Sequence, residues 1–511
     1  MTKPTTFGER VGYAAAWNVL ALGVLSLFTF ASGILLARML SKEEYACYAF
    51  VVATIPTLMS LLDLGLSLSV PKFAAEAIQR RGARGLRRTL RLVVSLKFLL
   101  FAIVMAAYLL SPGGTRRLFG LQATAPALLP LAVLAVVALD LLADLFQQGL
   151  ATCIAQGAIQ VVRISESLVL SGMILTLVPA GYGIPGVLAA FLASSAAKVV
   201  LSFGLLVREM RLMPPGTGEA GPAGSLLPRL LRHSTAIWGI KVTSLLTAPA
   251  YATLVLGRTA GPVAVANFSA ASELVFRITE LVMTPVQNLL HSIFASFAAR
   301  EAPDAARRAF VMLTRFHACV LLPTAAGLFA LAPHLLPVMY SSRFVDSVPA
   351  FRWLIVAVAL DYLFTPVALS ALITAERYRY VLATRIPMVL VGLTLPAAVR
   401  AGGPLAAVAL LCGGRVVASW LLAATARRCL GVSLELGFIL RQVAIAGGLG
   451  LLLHLAVRAL TPSAIECALL IVAFAIAFWA LFKLTGGIGR EQRERIAGMR
   501  LPLKMWIVRL V

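Results

Sequence analysis

Residues 35–76 read LLARMLSKEEYACYAFVVATIPTLMSLLDLGLSLSVPKFAAE. From Tyr45 to Val70 the segment is apolar enough for a bilayer. Yet it holds Asp63 and Gly65, and it leaves through Pro71 into Lys72 and Glu76. Lipid does not solvate an acid at membrane depth, so such a helix must face protein or water on one side. The whole chain has the same character. It has 511 residues, 60% hydrophobic and 13% charged, with a mean hydropathy of +0.92. A soluble chain would carry about 25% charged residues. Apolar runs of about 20 residues recur from end to end, each long enough to cross roughly 30 Å of hydrocarbon as a helix. A membrane β-barrel is excluded, because its strands would be about 10 residues of alternating polarity.

The fold class is therefore an all-α polytopic membrane protein. Predicted spans are 11–37, 44–70, 88–110, 125–149, 155–178, 183–207, 233–257, 263–292, 309–333, 349–374, 380–400, 403–426, 440–460 and 464–484. That is about 14 transmembrane helices, with 12 as the alternative count. The first run is longer than the roughly 7–15 residues of a secretory signal and reads as a membrane helix.

Lys and Arg divide between the two sets of loop ends as 30 against 9. The sparse side holds Arg38, Lys42, Arg116, Arg117, Arg258, Arg343, Arg352, Arg400 and Arg458. The rich side includes the termini and the run from Lys72 to Arg91. Short cytoplasmic loops collect Lys and Arg, so both termini are expected in the cytoplasm. The same bias accounts for the net charge of +24 without nucleic acid, for which no basic-aromatic motif is present. The six cysteines are scattered, with no CxxC and no His at ligand spacing, and read as small buried residues. No metal and no cofactor is expected.

Residues 208–232 contain MPPGTGEAGPAGS, a flexible linker after six helices. ARMLSKEEYACYAF (37–50) lies over GRTAGPVAVANFSA (257–270) at an offset of 220 residues, matching Arg38 to Arg258 and Tyr48 to Phe268. Linker and repeat together suggest two six-helix lobes plus two C-terminal helices. The expected divisions are 1–208, the linker 209–232, 233–428, the added pair 429–485, and a basic cytoplasmic tail 486–511. The tail, with Met505 and Trp506, is either disordered or an interfacial helix on anionic lipid.

Polar groups at membrane depth carry the functional signal. Glu273, Arg277, Glu280, Thr284, Gln287 and His291 follow one another by 4, 3, 4, 3 and 4 residues, drawing one stripe down a helix. Glu273 and Glu280 could neutralise Arg277 at helical spacing. Pairing explains three residues but not the length of the stripe, which favours a cavity lining. The preceding helix offers Lys241 and Tyr251, with Pro249 as a kink. The first helix offers Asn18, and the second ends in Asp63 and Gly65. A symmetric two-lobe protein would gather these four helices around one cavity. Asp140, Asp144, Lys97, Lys198 and Arg163 are expected to pair within the first lobe, and Asp361 with Arg415 in the second. Glu166 and His317 have no evident partner. The sequence holds no GxxxxGK[ST], HExxH or GxSxG and no long outward loop with paired acids, so it is not read as an enzyme.

Residues 35–76 resemble the N-terminal region of Wzx-type polysaccharide flippases, of the multidrug/oligosaccharidyl-lipid/polysaccharide (MOP) exporter superfamily. The matching residues are Arg38, Leu40, Glu43, Glu44, Tyr45, Tyr48, Asp63, Leu64, Gly65, Leu66, Lys72, Ala75 and Glu76. Ala46–Cys47 stands where that family has a glycine, and Lys72 where it has arginine. Beyond residue 76 the likeness is one of layout. The resemblance implies an alternating-access flippase of the bacterial cytoplasmic membrane that moves a polyprenyl-pyrophosphate-linked oligosaccharide. It also implies glycosyltransferases and a polysaccharide polymerase as possible partners, with anionic lipids at the cytoplasmic face. For such a substrate, Arg277, Lys241 and Arg38 would meet the pyrophosphate. Asn18, Tyr251, Thr284, Gln287 and His291 would meet the glycan. Asp63, Gly65, Glu273 and Glu280 would serve gating or ion coupling. The alternatives are a cation-coupled multidrug exporter of the same superfamily, a lipid II flippase, or a non-transporting membrane enzyme or scaffold.

Overall fold

The computed structural model describes residues 28–111, 129–153, 155–212, 226–299, 303–375, 377–460 and 464–484. No strand occurs among them. Helix α1 spans Phe28–Met39. Then follow α2 Lys42–Leu62, α3 Leu66–Leu110, α4 Leu129–Thr152, α5 Gln156–Leu177 and α6 Gly183–Arg211. The second half holds α7 Leu226–Leu245, α8 Pro249–Thr259, α9 Pro262–Ala299, α10 Pro303–Met339, α11 Val348–Thr374, α12 Tyr378–Ala383 and α13 Ile386–Leu430. Two more, α14 Leu436–Leu460 and α15 Ala464–Leu484, complete the series.

Two of these helices are hairpins. Helix α13 has 45 residues, about 67 Å of helix at 1.5 Å per residue and twice a bilayer's hydrocarbon. It breaks at Gly403, and a Cβ on Gly414 would lie 2.4 Å from Val391, so the two arms lie side by side. Helix α3 breaks at Gly82, and Lys97 of its second arm donates to Ser67 of its first at 2.6 Å. By length and hydropathy alone, eight of the described helices could cross a membrane, or nine counting the bent pair α7–α8. With α13 opened into its two arms, and α2 counted with the short first arm of α3 as one pass, the elements are compatible with fourteen passes.

Helices α3 to α6 pack on one another, as do α9, α10, α11 and α13, which gives two lobes. Helix α14 rests on α10 and carries α15. The lobes meet where α2 packs on α8 and α9, and where α2 and α3 pack on α7. One hydrophobic core runs through both lobes, from Leu36 and Tyr45 through Val136 to Phe268, Phe351 and Leu411. A second core ties the C-lobe to the added helices through Phe310, Phe364, Phe478 and Phe482.

Two differences from the sequence expectation bear on the site. The span 44–70 is not one helix: α2 stops at Leu62 and α3 starts at Leu66. Leu64 and Gly65 both take positive φ, 45° and 73°, which a right-handed helix cannot continue through. The seventh span begins earlier, at Leu226, and breaks at 246–248 with Pro249 in the first turn of α8. Proline is well placed there, because the first helical N–H has no intrahelical partner.

Candidate functional site

The break after α2 builds the first part of the site. Asp63 follows the last residue of α2, and its Oδ1 accepts from the Ser67 backbone N–H at 3.0 Å, capping the next helix. The same carboxylate takes two ammonium groups. Lys97 Nζ lies 2.9 Å from Oδ1 and Lys241 Nζ 2.7 Å from Oδ2. Lys97 also reaches Asp144 Oδ2 at 3.1 Å. The cluster has two carboxylates and two ammonium groups and is neutral. The Ser67 hydroxyl accepts from Lys97 at 2.6 Å and sits within hydrogen-bond reach of both Asp63 and Asp144. Its single proton can serve only one of them at a time. Asp63 and Lys97 are buried, whereas the Lys241 side chain is 32% exposed. Burial of this kind is tolerable because each charge has an opposite partner and further hydrogen bonds.

Lys241 belongs to α7, so this cluster joins the two lobes. The backbones are pressed together beside it. A Cβ on Gly65 would lie 2.3 Å from the Ser234 carbonyl oxygen and 2.9 Å from the Trp238 nitrogen. Only glycine fits that approach, and only glycine takes its φ of 73° at no steric cost. One turn on, the Ser234 hydroxyl donates to Ser69 Oγ at 2.8 Å.

Tyr45 lies eighteen residues before Asp63, about 27 Å along the helix, and here the lobes meet again. Helices α1 and α10 both end at this level, leaving their last carbonyls without intrahelical donors. Arg38, at the end of α1, donates to the Val338 and Met339 carbonyls that end α10, the latter at 3.2 Å. Arg343, just past α10, donates back to the carbonyls of Ala37, Arg38 and Leu40 at 3.4, 2.7 and 3.2 Å. Each guanidinium caps the helix of the other lobe, where the dipole favours a cation. Lys42 and Asp346 add an exposed pair at 3.4 Å. Beneath them the Tyr45 ring packs between Tyr48 and Phe344, at 5.6 and 5.2 Å between centroids. Its hydroxyl donates to Glu273 Oε2 at 3.2 Å.

The stripe on α9 therefore divides. Glu273 serves Tyr45 of the other lobe. Arg277 and Glu280 face each other loosely at 3.9 Å and are half-exposed, at 38% and 58% of their side chains. The side chains of Thr284, Gln287 and His291 lie outside the described residues, as does Asn18. Tyr251 donates to the Gly392 carbonyl at 2.9 Å, inside its own lobe. The site residues that the structure brings to the lobe interface are thus Arg38, Asp63, Gly65, Lys241 and Glu273.

Of the pairs expected within lobes, all form except one for Arg163, which enters no ion pair among the described residues. Lys198 meets Asp140 at 3.2 Å and also Glu166 at 2.8 Å, giving that acid the partner its position in the sequence did not suggest. Arg415 meets Asp361 at 2.7 Å, donates to the Thr247 carbonyl at 3.3 Å and lies over the Phe276 ring at 5.2 Å. It so holds the broken junction of α7 and α8 against the lobe. Arg343 was not singled out in the sequence, and Lys97 and Asp144 were read only as structural pairs. A search for intramembrane charges within about one turn of a helix break would have grouped Asp63 with Lys241, but it would not have found Lys97 or Asp144.

A family model described as a polysaccharide biosynthesis protein matches residues 35–349. Among solved structures, the lipid II flippase MurJ in an inward closed conformation superposes with a TM-score of 0.72 at 12% identity, covering 91% of this chain and 98% of that one. An inward-facing multidrug resistance MATE family transporter of the MOP superfamily gives 0.63 at 16% identity, covering 80% and 94%. A MOP superfamily transporter from Pyrococcus furiosus, reported with a binding pocket of reverse polarity that suggests a different function, gives 0.55 at 17%, covering 84% and 99%. At such identities the likeness is one of fold. No curated protein sequence matches the chain significantly.

Proposed function

Because the chain belongs to the family of polysaccharide biosynthesis proteins, we propose that it is a flippase for a polyprenyl-pyrophosphate-linked oligosaccharide. It moves this lipid from the inner to the outer leaflet of the bacterial cytoplasmic membrane by alternating access, with both termini cytoplasmic. The observation that carries the reading is the placement of Lys241. This cation stands at the lobe interface, partly open to solvent, and its partner Asp63 already holds a second ammonium, Lys97. A pyrophosphate entering between the lobes offers more negative charge than one carboxylate. Lys241 can exchange Asp63 for the phosphate while Lys97 keeps Asp63 satisfied. The contact of α3 with α7 is then weakened by the substrate itself.

Arg277 is the second cation on the path and binds phosphate through its fork of N–H donors. Thr284, Gln287, His291, Asn18 and Tyr251 are the hydrogen-bonding groups for the glycan. No bond is broken along this route, so the protein acts as a carrier and not as an enzyme. Energy comes from gradients. Each negative charge moved outward gains about 2.3 kcal/mol per 100 mV, inside negative. Glycosyltransferases supply the substrate and a polymerase consumes it.

A second reading, export of cationic drugs, draws on the exposed Glu280 on the same helix. Reconstitution separates the two. Vesicles containing the protein should translocate a fluorescent polyprenyl-pyrophosphate oligosaccharide and leave a cationic dye where it is. Dye transport without lipid translocation would overturn the flippase reading.

A further inference from the structure

We infer that helices α10, α11 and α14 form a binding site for the phosphate of a lipid headgroup, at the end of the C-lobe where Lys and Arg are sparse. Arg352 opens α11. Its Nε donates to the Phe329 carbonyl of α10 at 3.1 Å, and its guanidinium lies 4.8 Å from the Phe329 ring centroid. This fixes the plane of the fork. Its Nη2 is buried and finds no acceptor among the described residues. The charge that bears on Arg352 is the like charge of Arg458, near the end of α14. Neither arginine takes part in an ion pair among the described residues.

The helices bring further donors to the same place. Helices α10 and α14 run parallel, since Arg315 sits over Phe438 and Ala326 touches Gly450. That register sets His454 level with Phe329, and Arg458 level with His334. Nδ1 of each histidine is buried without a partner. The like charges of Arg352 and Arg458 repel, and a buried N–H without an acceptor costs about 1–3 kcal/mol. An anion between them removes both costs.

The surroundings identify the anion. Trp353 is 54% exposed beside Arg352, as an aromatic at a membrane–water boundary would be. Phe329, Val356 and Leu455 are exposed around it. A basic pair ringed by apolar surface fits a phosphate that arrives with acyl or prenyl chains, not a free ion. On the proposed orientation the site lies in the outer leaflet. Its occupant is either a resident anionic phospholipid or the transported pyrophosphate lipid after crossing.

The test is retention of lipid by the purified full-length protein, read by native mass spectrometry. Phosphatidylglycerol and a polyprenyl pyrophosphate are offered separately. Wild-type protein should hold at least one of them, and the one held names the source. Arg352→Ala with Arg458→Ala should lower retention roughly 30-fold, at about 1 kcal/mol per arginine near a membrane surface. Arg352→Lys with Arg458→Lys should retain part of it, and Arg400→Ala, a basic residue of the same face, all of it. Equal retention by wild type and the double alanine variant, with unchanged melting temperature, would overturn the site. The measurement needs no transport, so it stands or falls apart from the flippase reading.

Discussion

Arg38 and Arg343 exchange helices: Arg38 ends α1 and Arg343 lies just past α10, and each donates to the last carbonyls of the other's helix. The acceptors are main-chain oxygens, and the two lobes supply one arginine each. Charged hydrogen bonds of this kind contribute roughly 1.5–3 kcal/mol each, reduced here by solvent, since Arg38 is exposed. Arg343→Ala should loosen the lobes at this end. Cys47, on α2 just inside it, reports the change. In a variant keeping Cys47 alone, Arg343→Ala should speed labelling by a thiol reagent several-fold. Unchanged labelling would mean that the aromatic packing of Tyr45 and Phe344 suffices to close this end.

Gly65→Ala introduces two faults together, a side chain at a φ of 73° and a Cβ 2.3 Å from the Ser234 oxygen. The first costs about 1–2 kcal/mol, and the second is relieved only by moving α7 away. Cysteines at Ser69 and Ser234, whose hydroxyls lie 2.8 Å apart, should crosslink readily in the parent. Adding Gly65→Ala should cut the crosslinking yield and abolish surface polysaccharide while protein remains in the membrane.

Removing Lys241 leaves Asp63, Asp144 and Lys97 with one uncompensated negative charge. Lys241→Ala should therefore lower the melting temperature, and Asp63→Asn with Lys241→Ala should recover part of that loss. A double-mutant coupling of about 0.5–3 kcal/mol is expected for groups in direct contact. On the flippase reading, transport should stay low in the double variant, because Lys241 is then no longer there to meet the phosphate. A double variant that regains transport would make Lys241 a structural residue only.

Arg277→Ala tests the path without touching a buried pair. Its only ion-pair contact among the described residues is the loose one to Glu280. Membrane levels and thermal stability should match the parent, and surface polysaccharide should disappear. Loss of the protein itself would instead give Arg277 a folding role.

Arg415 offers the contrast. It is tied to Asp361, to the Thr247 carbonyl and to Phe276, and breaking a buried ion pair by removing one partner costs about 3–5 kcal/mol. Arg415→Met should lower the membrane level of the protein sharply, and Arg415→Met with Asp361→Leu should restore most of it. No restoration would point to the Thr247 carbonyl as the important acceptor.

Apolar run length made the membrane class legible, because it reflects the solvent each segment meets, and the linker after six helices together with the faint internal repeat made the two-lobed layout legible. The pairs Lys198–Asp140 and Arg415–Asp361 were legible for a related reason: an intramembrane charge must find its opposite, and few candidates exist. The break at 63–65 was harder. Asp63 and Gly65 were conspicuous, but an apolar run gives no sign that Leu64 takes a positive φ. The contact of Arg38 with α10 could not be read at all. Its acceptors are carbonyls, which every residue has, so no side-chain pattern announces them.

That same indifference has an evolutionary side. A lock whose acceptors belong to the backbone needs no particular residue at 37, 38, 40, 338 or 339 beyond the arginines that donate. The segments around it can vary in sequence without dismantling the closure. Two codons carry the whole device.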